Sequence, residues 1–265
     1  MPRLSVDIDL NYVGALDRDA MVKERPKVEQ AFQAVFSRDG FNVRRMPTDH
    51  ASGKWTLGYQ SFTGQPANLE VDVNFMFRQP LWNPSSRDSV TLGRYQAQGI
   101  PIVDGHELAA GKLAALLART QARDLFDCRG ISQSLELDRG LLRIAFVVYG
   151  GMNRKDWRSV SVDDVEFDPD DLAARLVPML HGAAVPSGVT PSGFGRTLVN
   201  ECKAYLAAVL PLQESELAFL DALLERGRID ASLLTDDPDL MRRIEVHPWL
   251  QWKAVNVRKH RGLAR

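Results

Sequence analysis

The chain has 265 residues, 45% of them hydrophobic and 25% charged, with a mean hydropathy of −0.22. It therefore has the composition of a soluble globular protein with room for one large core or two modest ones. Lys and Arg (33) nearly balance Asp and Glu (34) for a net charge of −1, which excludes a strong overall field toward nucleic acid or anionic membrane but leaves room for a local basic patch. Cys128 and Cys202 lie far apart with no metal-ligand spacing. Residues 1–10 lack a signal-peptide pattern, and no apolar run approaches ~18 residues. The expectation is a cytoplasmic protein with no disulfide framework and no membrane span.

Arg3 to Leu10 alternates, with Ser5, Asp7 and Asp9 on one face and Leu4, Val6, Ile8 and Leu10 on the other, which predicts a half-buried strand. Residues 19–37 predict a helix that either breaks at Pro26 or starts there. After the Asp39-Gly40 turn come strands at Phe41–Met46, Lys54–Phe62 and Asn68–Phe77. In the third, Leu69, Val71, Val73 and Phe75 oppose Glu70, Asp72, Asn74 and Met76. Ile100–Val103 predicts a short strand, and Asp104-x-x-Glu107 a capping box opening a helix over 105–119. Helical patterning then dominates at 121–136, 138–150, 168–181, 194–210, 213–227, 230–244 and 248–260. The acids at 163–171 suit a solvated loop and helix start. The pattern predicts an α+β region over residues 1–136 and a mainly helical domain over 137–265.

Carboxylates two apart on a strand point the same way, about 6–7 Å apart, which suits ligands of one metal cluster. Asp7, Asp9 and, on another amphipathic strand, Asp72 meet this requirement. A chain with 34 acids in 265 residues holds about four acid-x-acid pairs by chance, so the spacing alone is weak. Lys112, Arg119 and Arg123, at spacings of seven and four, predict one cationic helix face, with Asp127 a turn beyond. Such a face can grip a triphosphate, but more often it is a solvated surface laced with ion pairs.

Together these segments resemble the AbiEii/AbiGii toxin family of polymerase β-like nucleotidyltransferases. The resemblance rests on Arg3-Leu-Ser5-Val-Asp7-Ile-Asp9-Leu-Asn11-Tyr12 and on Lys112-x-x-Ala115-x-x-x-Arg119-x-x-x-Arg123-Asp124-x-x-Asp127. Val71-Asp72-Val73 resembles the strand of the third acid. The likeness is clear over residues 3–131 and diffuse afterwards. It implies a nucleotidyltransferase core with a mixed sheet and flanking helices over 1–136, then a helical domain. It implies that Asp7, Asp9 and Asp72 hold Mg²⁺ (or Mn²⁺), with Asp72 a third ligand or general base. Ser5, Lys112, Arg119, Arg123 and Asp124 would bind the nucleotide, with Lys112 on its phosphates and Asp127 completing the pocket. The implied activity is transfer of a nucleotide from an NTP to an acceptor such as tRNA, restrained by a co-encoded antitoxin. Family members also carry a Gly-Gly-Thr turn before the metal strand; its place here lies upstream of Met1, and Gly150-Gly151 lacks the context to replace it. The alternatives are a catalytically degenerate nucleotide- or RNA-binding protein on the same fold and a small-molecule nucleotidyltransferase.

His50, His106, His181, His247 and His260 show no zinc-binding spacing, and no Gly-x-Ser-x-Gly elbow is present. Trp249 and Trp252 predict packing more than base stacking. The tail from Lys253 to Arg265, with Arg258, Lys259 and Arg261 and no acid, is either a solvated terminal helix or an RNA-phosphate contact.

Overall fold

A computed structural model describes residues 7–46, 52–180, 184–185 and 187–263. These fall into two compact units. One runs to Gln79 and includes His247–Trp249; the other comprises Pro80–Val246 and the residues from Leu250 onward. This division does not coincide with the expected one at residue 136, because the helices that follow residue 104 pack with later helices.

The first unit is a four-stranded mixed sheet in the order β1-β4-β3-β2, formed by β1 (Asp7–Asn11), β2 (Asn42–Arg45), β3 (Ser52–Gln60) and β4 (Pro66–Asn74). β1 pairs parallel to β4, and β3 pairs antiparallel to both β4 and β2. One face is the core: Val71, Val73 and Phe75 pack with Trp55 and Leu57 and with Met21 and Phe36 of helix α1 (Arg18–Arg38). Phe32 and Phe36 meet the Trp55 ring at centroid distances of 5.2 and 6.2 Å. β1 lies at the sheet edge, so Ile8 is exposed rather than half-buried. Helix α1 does not break at Pro26. Its N-cap, Asp17, accepts from the Ala20 amide (2.9 Å), and the packed Met21 and Phe36 ends hold the turns on either side of the proline in one helix. β4 ends at Asn74 rather than Phe77, because the Asn74 side chain accepts from the Met76 and Phe77 amides and turns the chain.

The second unit opens with a two-stranded hairpin of β5 (Ser85–Arg87) and β6 (Ile100–Ile102). Helices α2 (Gly105–Arg119), α3 (Ala122–Ser134) and α4 (Arg139–Gly151) follow. The predicted capping box is only half made. Asp104 accepts from the His106 amide, but Glu107 turns inward and accepts from the Trp82 amide (3.2 Å) and the Tyr149 hydroxyl (3.1 Å). Burial pushes the Glu107 carboxyl up, and those donors oppose the shift. The predicted helix at 168–181 is a single turn, α5 (Pro169–Asp171), continued by a π-turn over Leu172–Leu176 and a short 3-10 turn at Val177–Met179. The acids at 163–171 are not merely solvated: Asp171 caps α3 through the Ala122 amide (2.9 Å) and Asp164 binds Lys155 (3.1 Å). Helices α6 (Pro191–Leu206) and α7 (Glu214–Arg226) follow, then α8 (Pro238–Glu245) and α9 (Pro248–Arg261). The predicted helix at 230–244 starts only at Pro238, capped by Asp237, as expected for a proline at the first helical position.

Gly150 and Gly151 sit in the last turn of α4, where they admit other side chains against the backbone. A Cβ on Gly150 would lie 1.9 Å from Trp157 Nε1, and one on Gly151 would lie 2.9 Å from Leu223. Trp157 is fully buried, so the tryptophan has nowhere to retreat. Gly150→Ala is expected to cost about 1–3 kcal/mol or more through overpacking, read as a lower urea midpoint. An unchanged midpoint would show that the close packing is not real.

In the sheet unit, His247 is buried against the Phe77 ring, and its Nδ1 accepts from the Trp249 amide (3.2 Å). Burial, with a smaller contribution from Arg78, lowers its pKa from 6.5 to about 3. Between these values the unfolded chain takes up a proton that the folded chain refuses. The stability that neutral His247 contributes is therefore complete above pH 6.5 and is lost as pH falls toward about 3. His247→Phe should flatten the acid limb of stability measured by urea unfolding across that window; an acid limb as steep as in the wild type would refute this role.

Candidate active site: an acidic sheet face and a helical clasp

The face of the sheet opposite the core is polar because β1, β3 and β4 keep their alternation in register. Asp9 pairs with Asp72, which in turn pairs with Lys54; Asp7 pairs with Glu70, which pairs with Thr56. Asp7, Asp9 and Asp72 thus share one face, as their parity predicts, and Ser5 lies outside the described residues. Two further members were not singled out from sequence. Lys54 Nζ binds Glu70 Oε2 at 2.9 Å, and both belong to the face that holds Asp72. Only the register of three strands could reveal them.

Asp72 is the tense member of this face. Burial raises its pKa; Lys54 opposes the shift, while Asp9 and Glu70 add to it. Its Oδ1 is buried without a hydrogen-bond partner among the described residues, an arrangement that costs free energy unless something fills it. Among the described residues no three His, Cys, Asp or Glu side chains converge to encage a metal. Mg²⁺ requires no such cage, since it is commonly held by one or two carboxylates with water and substrate phosphates. An all-oxygen donor set with one bare buried oxygen fits a hard cation of this kind.

The helical motif is built differently from its expectation. Helix α2 ends at Arg119, and Thr120 takes the left-handed conformation (φ 50°). Arg119 and Arg123 therefore do not share one helix face: Arg123 belongs to α3 and is exposed. Instead α3 folds back along α2. Close to the turn, Arg119 grips Asp124 through two hydrogen bonds of 2.8 Å; farther from it, Lys112 reaches Asp127 at 2.9 Å. The spacing of the motif is thus that of a helical hairpin clasped twice. Asp124 is 1% exposed, so it fixes the Arg119 fork rather than meeting solvent. Lys112 and Arg119 each keep part of their side chain open to water. This clasp lies in the helical unit and the acids in the sheet unit.

A mixed sheet with an acid-bearing polar face, followed by helices, is an α+β fold. The family model described as nucleotidyl transferase AbiEii toxin, type IV TA system, matches residues 1–186. The chain belongs to this family of toxin–antitoxin nucleotidyltransferases. Among solved structures it is similar to MenT4, a nucleotidyltransferase toxin from Mycobacterium tuberculosis H37Rv, with a TM-score of 0.54 and 21% identity over 92% of this chain and 78% of that one. At this identity the likeness concerns the fold. No curated protein sequence matches the chain. Among the described residues no helix is long and apolar enough to cross a membrane.

A raised Asp72 pKa means that the folded protein penalises the ionised carboxylate. Asp72→Asn keeps the shape without the charge, so at neutral pH and without divalent metal it should raise the melting temperature by a few degrees. The gain should shrink as pH falls and the wild-type acid becomes neutral in turn. Thermal unfolding of both proteins across pH tests this, and a less stable Asn variant at neutral pH would refute it.

Proposed function

We propose that the protein is a metal-dependent nucleotidyltransferase toxin that moves a nucleotide from an NTP onto an RNA acceptor, with tRNA the favoured class. The observation that carries this reading is the pairing of Asp9 with Asp72 across β1 and β4, with a buried Asp72 oxygen left unpartnered. Asp7 and Asp9 would hold Mg²⁺ or Mn²⁺ with water and substrate phosphates, and Asp72 would serve either as a third ligand or as the general base. Such an ion, when bound, offsets charge on the phosphate oxygens and favours ionisation of an attacking hydroxyl.

The remaining roles belong to side chains of the chain. The acceptor hydroxyl attacks the α-phosphorus, the bond to the β-phosphate breaks, and pyrophosphate leaves. Asp72, whose proton affinity burial raises, is suited to take the hydroxyl proton. Lys112, oriented by Asp127 (2.9 Å), would neutralise phosphate charge, and Arg119, squared by Asp124, would present a rigid fork to phosphate oxygens. Arg123 and Ser5 would add nucleotide contacts. A toxin of this kind would act in the cytoplasm under the restraint of a cognate antitoxin, and its buried thiols Cys128 and Cys202 suit a reducing compartment.

The decisive assay incubates purified protein with each α-labelled NTP, Mg²⁺ and total RNA. Label should enter RNA, EDTA should stop it, and Asp7→Ala or Asp9→Ala should lower the rate at least about a hundredfold with unchanged circular dichroism. Full activity in either variant would remove the acids from the mechanism. Absence of incorporation from every NTP would remove the reading itself.

A further inference from the structure

The basic C-terminal segment is not absorbed by the roles above, and the structure gives it a definite shape within the helical unit. Helix α7 ends at Gly227, which takes the left-handed conformation (φ 59°), so the chain reverses with Arg226 on one side of the glycine and Arg228 on the other. Helix α9 lies against this turn. A Cβ on Gly227 would meet the Ala254 carbonyl oxygen at 2.5 Å, and Arg258 donates to the Gly227 carbonyl. The result is an open depression of about 400 Å³ lined by Arg226, Arg228 and Arg258, with Gln251 and Glu245 at its wall.

These guanidinium groups are only partly compensated. Arg228 binds Asp230 at 3.0 Å and Arg261 binds Glu225, while Glu245 is the one acid of the lining. Arg226 and Lys259 are exposed and have no ion-pair partner among the described residues. Arginine forks brought together in excess over acids match phosphate oxygens better than any other common anion. Two features favour a polymer over a small anion. The pocket cations Arg226 and Arg228 stand open to solvent rather than enclosed, and the charge continues along α9 through Lys259 and Arg261. Trp252, next to Gln251 on the same helix, is 52% exposed. Cations tracking a backbone beside an exposed aromatic ring form the pattern of single-stranded nucleic-acid binding.

We propose that the depression between the end of α7 and α9 is a phosphate-binding subsite for the backbone of the RNA acceptor, with Trp252 as an adjoining stacking surface. The identity of the polymer rests on the function proposed above; the phosphate chemistry rests on the arginines alone. The test measures binding of fluorescently labelled tRNA and of a single-stranded RNA oligomer by anisotropy, with no NTP or metal present. Arg226→Gln with Arg228→Gln removes two exposed charges without touching the core. It should weaken binding about tenfold or more near 0.1 M salt and flatten the dependence of log Kd on log salt by about one to two units. Trp252→Ala should weaken binding with little change in that slope. Unchanged affinity and slope in the double variant overturns the proposal. So does a double variant that loses NTP or inorganic triphosphate binding yet keeps RNA binding, which would assign the arginines to a small anion. Arginine-dependent RNA binding by a wild-type protein that transfers no nucleotide would uphold this subsite while overturning the catalytic reading.

Discussion

Two carboxylates on adjacent, paired strands repel each other, and a sheet tolerates them only where something else dictates the register. Here that is the core on the opposite face. Ile8, Val71 and Trp55 form one cross-strand row, and the row beside it is Asp9, Asp72 and Lys54. A slip of one residue between β3 and β4 would turn Trp55 into water, and one between β1 and β4 would turn Asp7 and Asp9 toward the core face. Burial of Trp55, Leu57, Val71, Val73 and Phe75 therefore holds Asp9 against Asp72 despite their charge. Lys54 supplies part of the compensation by opposing the upward shift of Asp72. The rest is left unmet at the buried Oδ1.

The helical unit solves a different problem, which is to hold cations still. A long side chain loses rotamer freedom when it is fixed, and an exposed ion pair returns little for that loss. Burying Asp124 changes the balance: a carboxylate with almost no contact with water must be paired, so the two-bonded Arg119 fork becomes part of the fold. Glu107 uses the same logic. Its buried carboxyl ties the backbone at Trp82 and the Tyr149 hydroxyl of α4 to the first turn of α2. Both helices of the hairpin are thereby fixed in place.

Strand parity was legible from residues alone, because Leu69, Val71 and Val73 alternate with Glu70 and Asp72 and a strand has only two faces. Register was not. Nothing local states that β1 joins the far side of β4 from β3, so Lys54 and Glu70 were no more than polar-face residues until the strands were aligned. The helix over 105–119 was legible in both its bounds, but the reversal at Thr120 that separates Arg123 from Lys112 and Arg119 was not. Threonine is an uncommon left-handed residue, and here the return of α3 onto α2 imposes that conformation. The motif from Lys112 to Asp127 pointed to the right family, while Lys112, Arg119 and Arg123 were misread as one helix face. Proline misled in both directions. Pro26 suggested a break where α1 runs on, and Pro238 sits within a predicted helix whose true start it marks.

A net charge of −1 describes no part of this molecule. Within the sheet unit Asp7, Asp9, Glu70 and Asp72 gather on one face with Lys54 among them, while Arg226, Arg228 and Arg258 gather at the end of α7. Each cluster is destabilising by itself, since like charges brought together raise the free energy of the folded state. They persist because each stands on a part of the fold that packing has already fixed: the aromatic core beneath the acids, and the Gly227–Ala254 contact beneath the arginines. Charge segregation over rigid supports, rather than overall charge, is what a protein needs if it is to hold cations at one place and phosphates at another. Near-neutral composition then excludes only indiscriminate attraction, and recognition falls to local geometry.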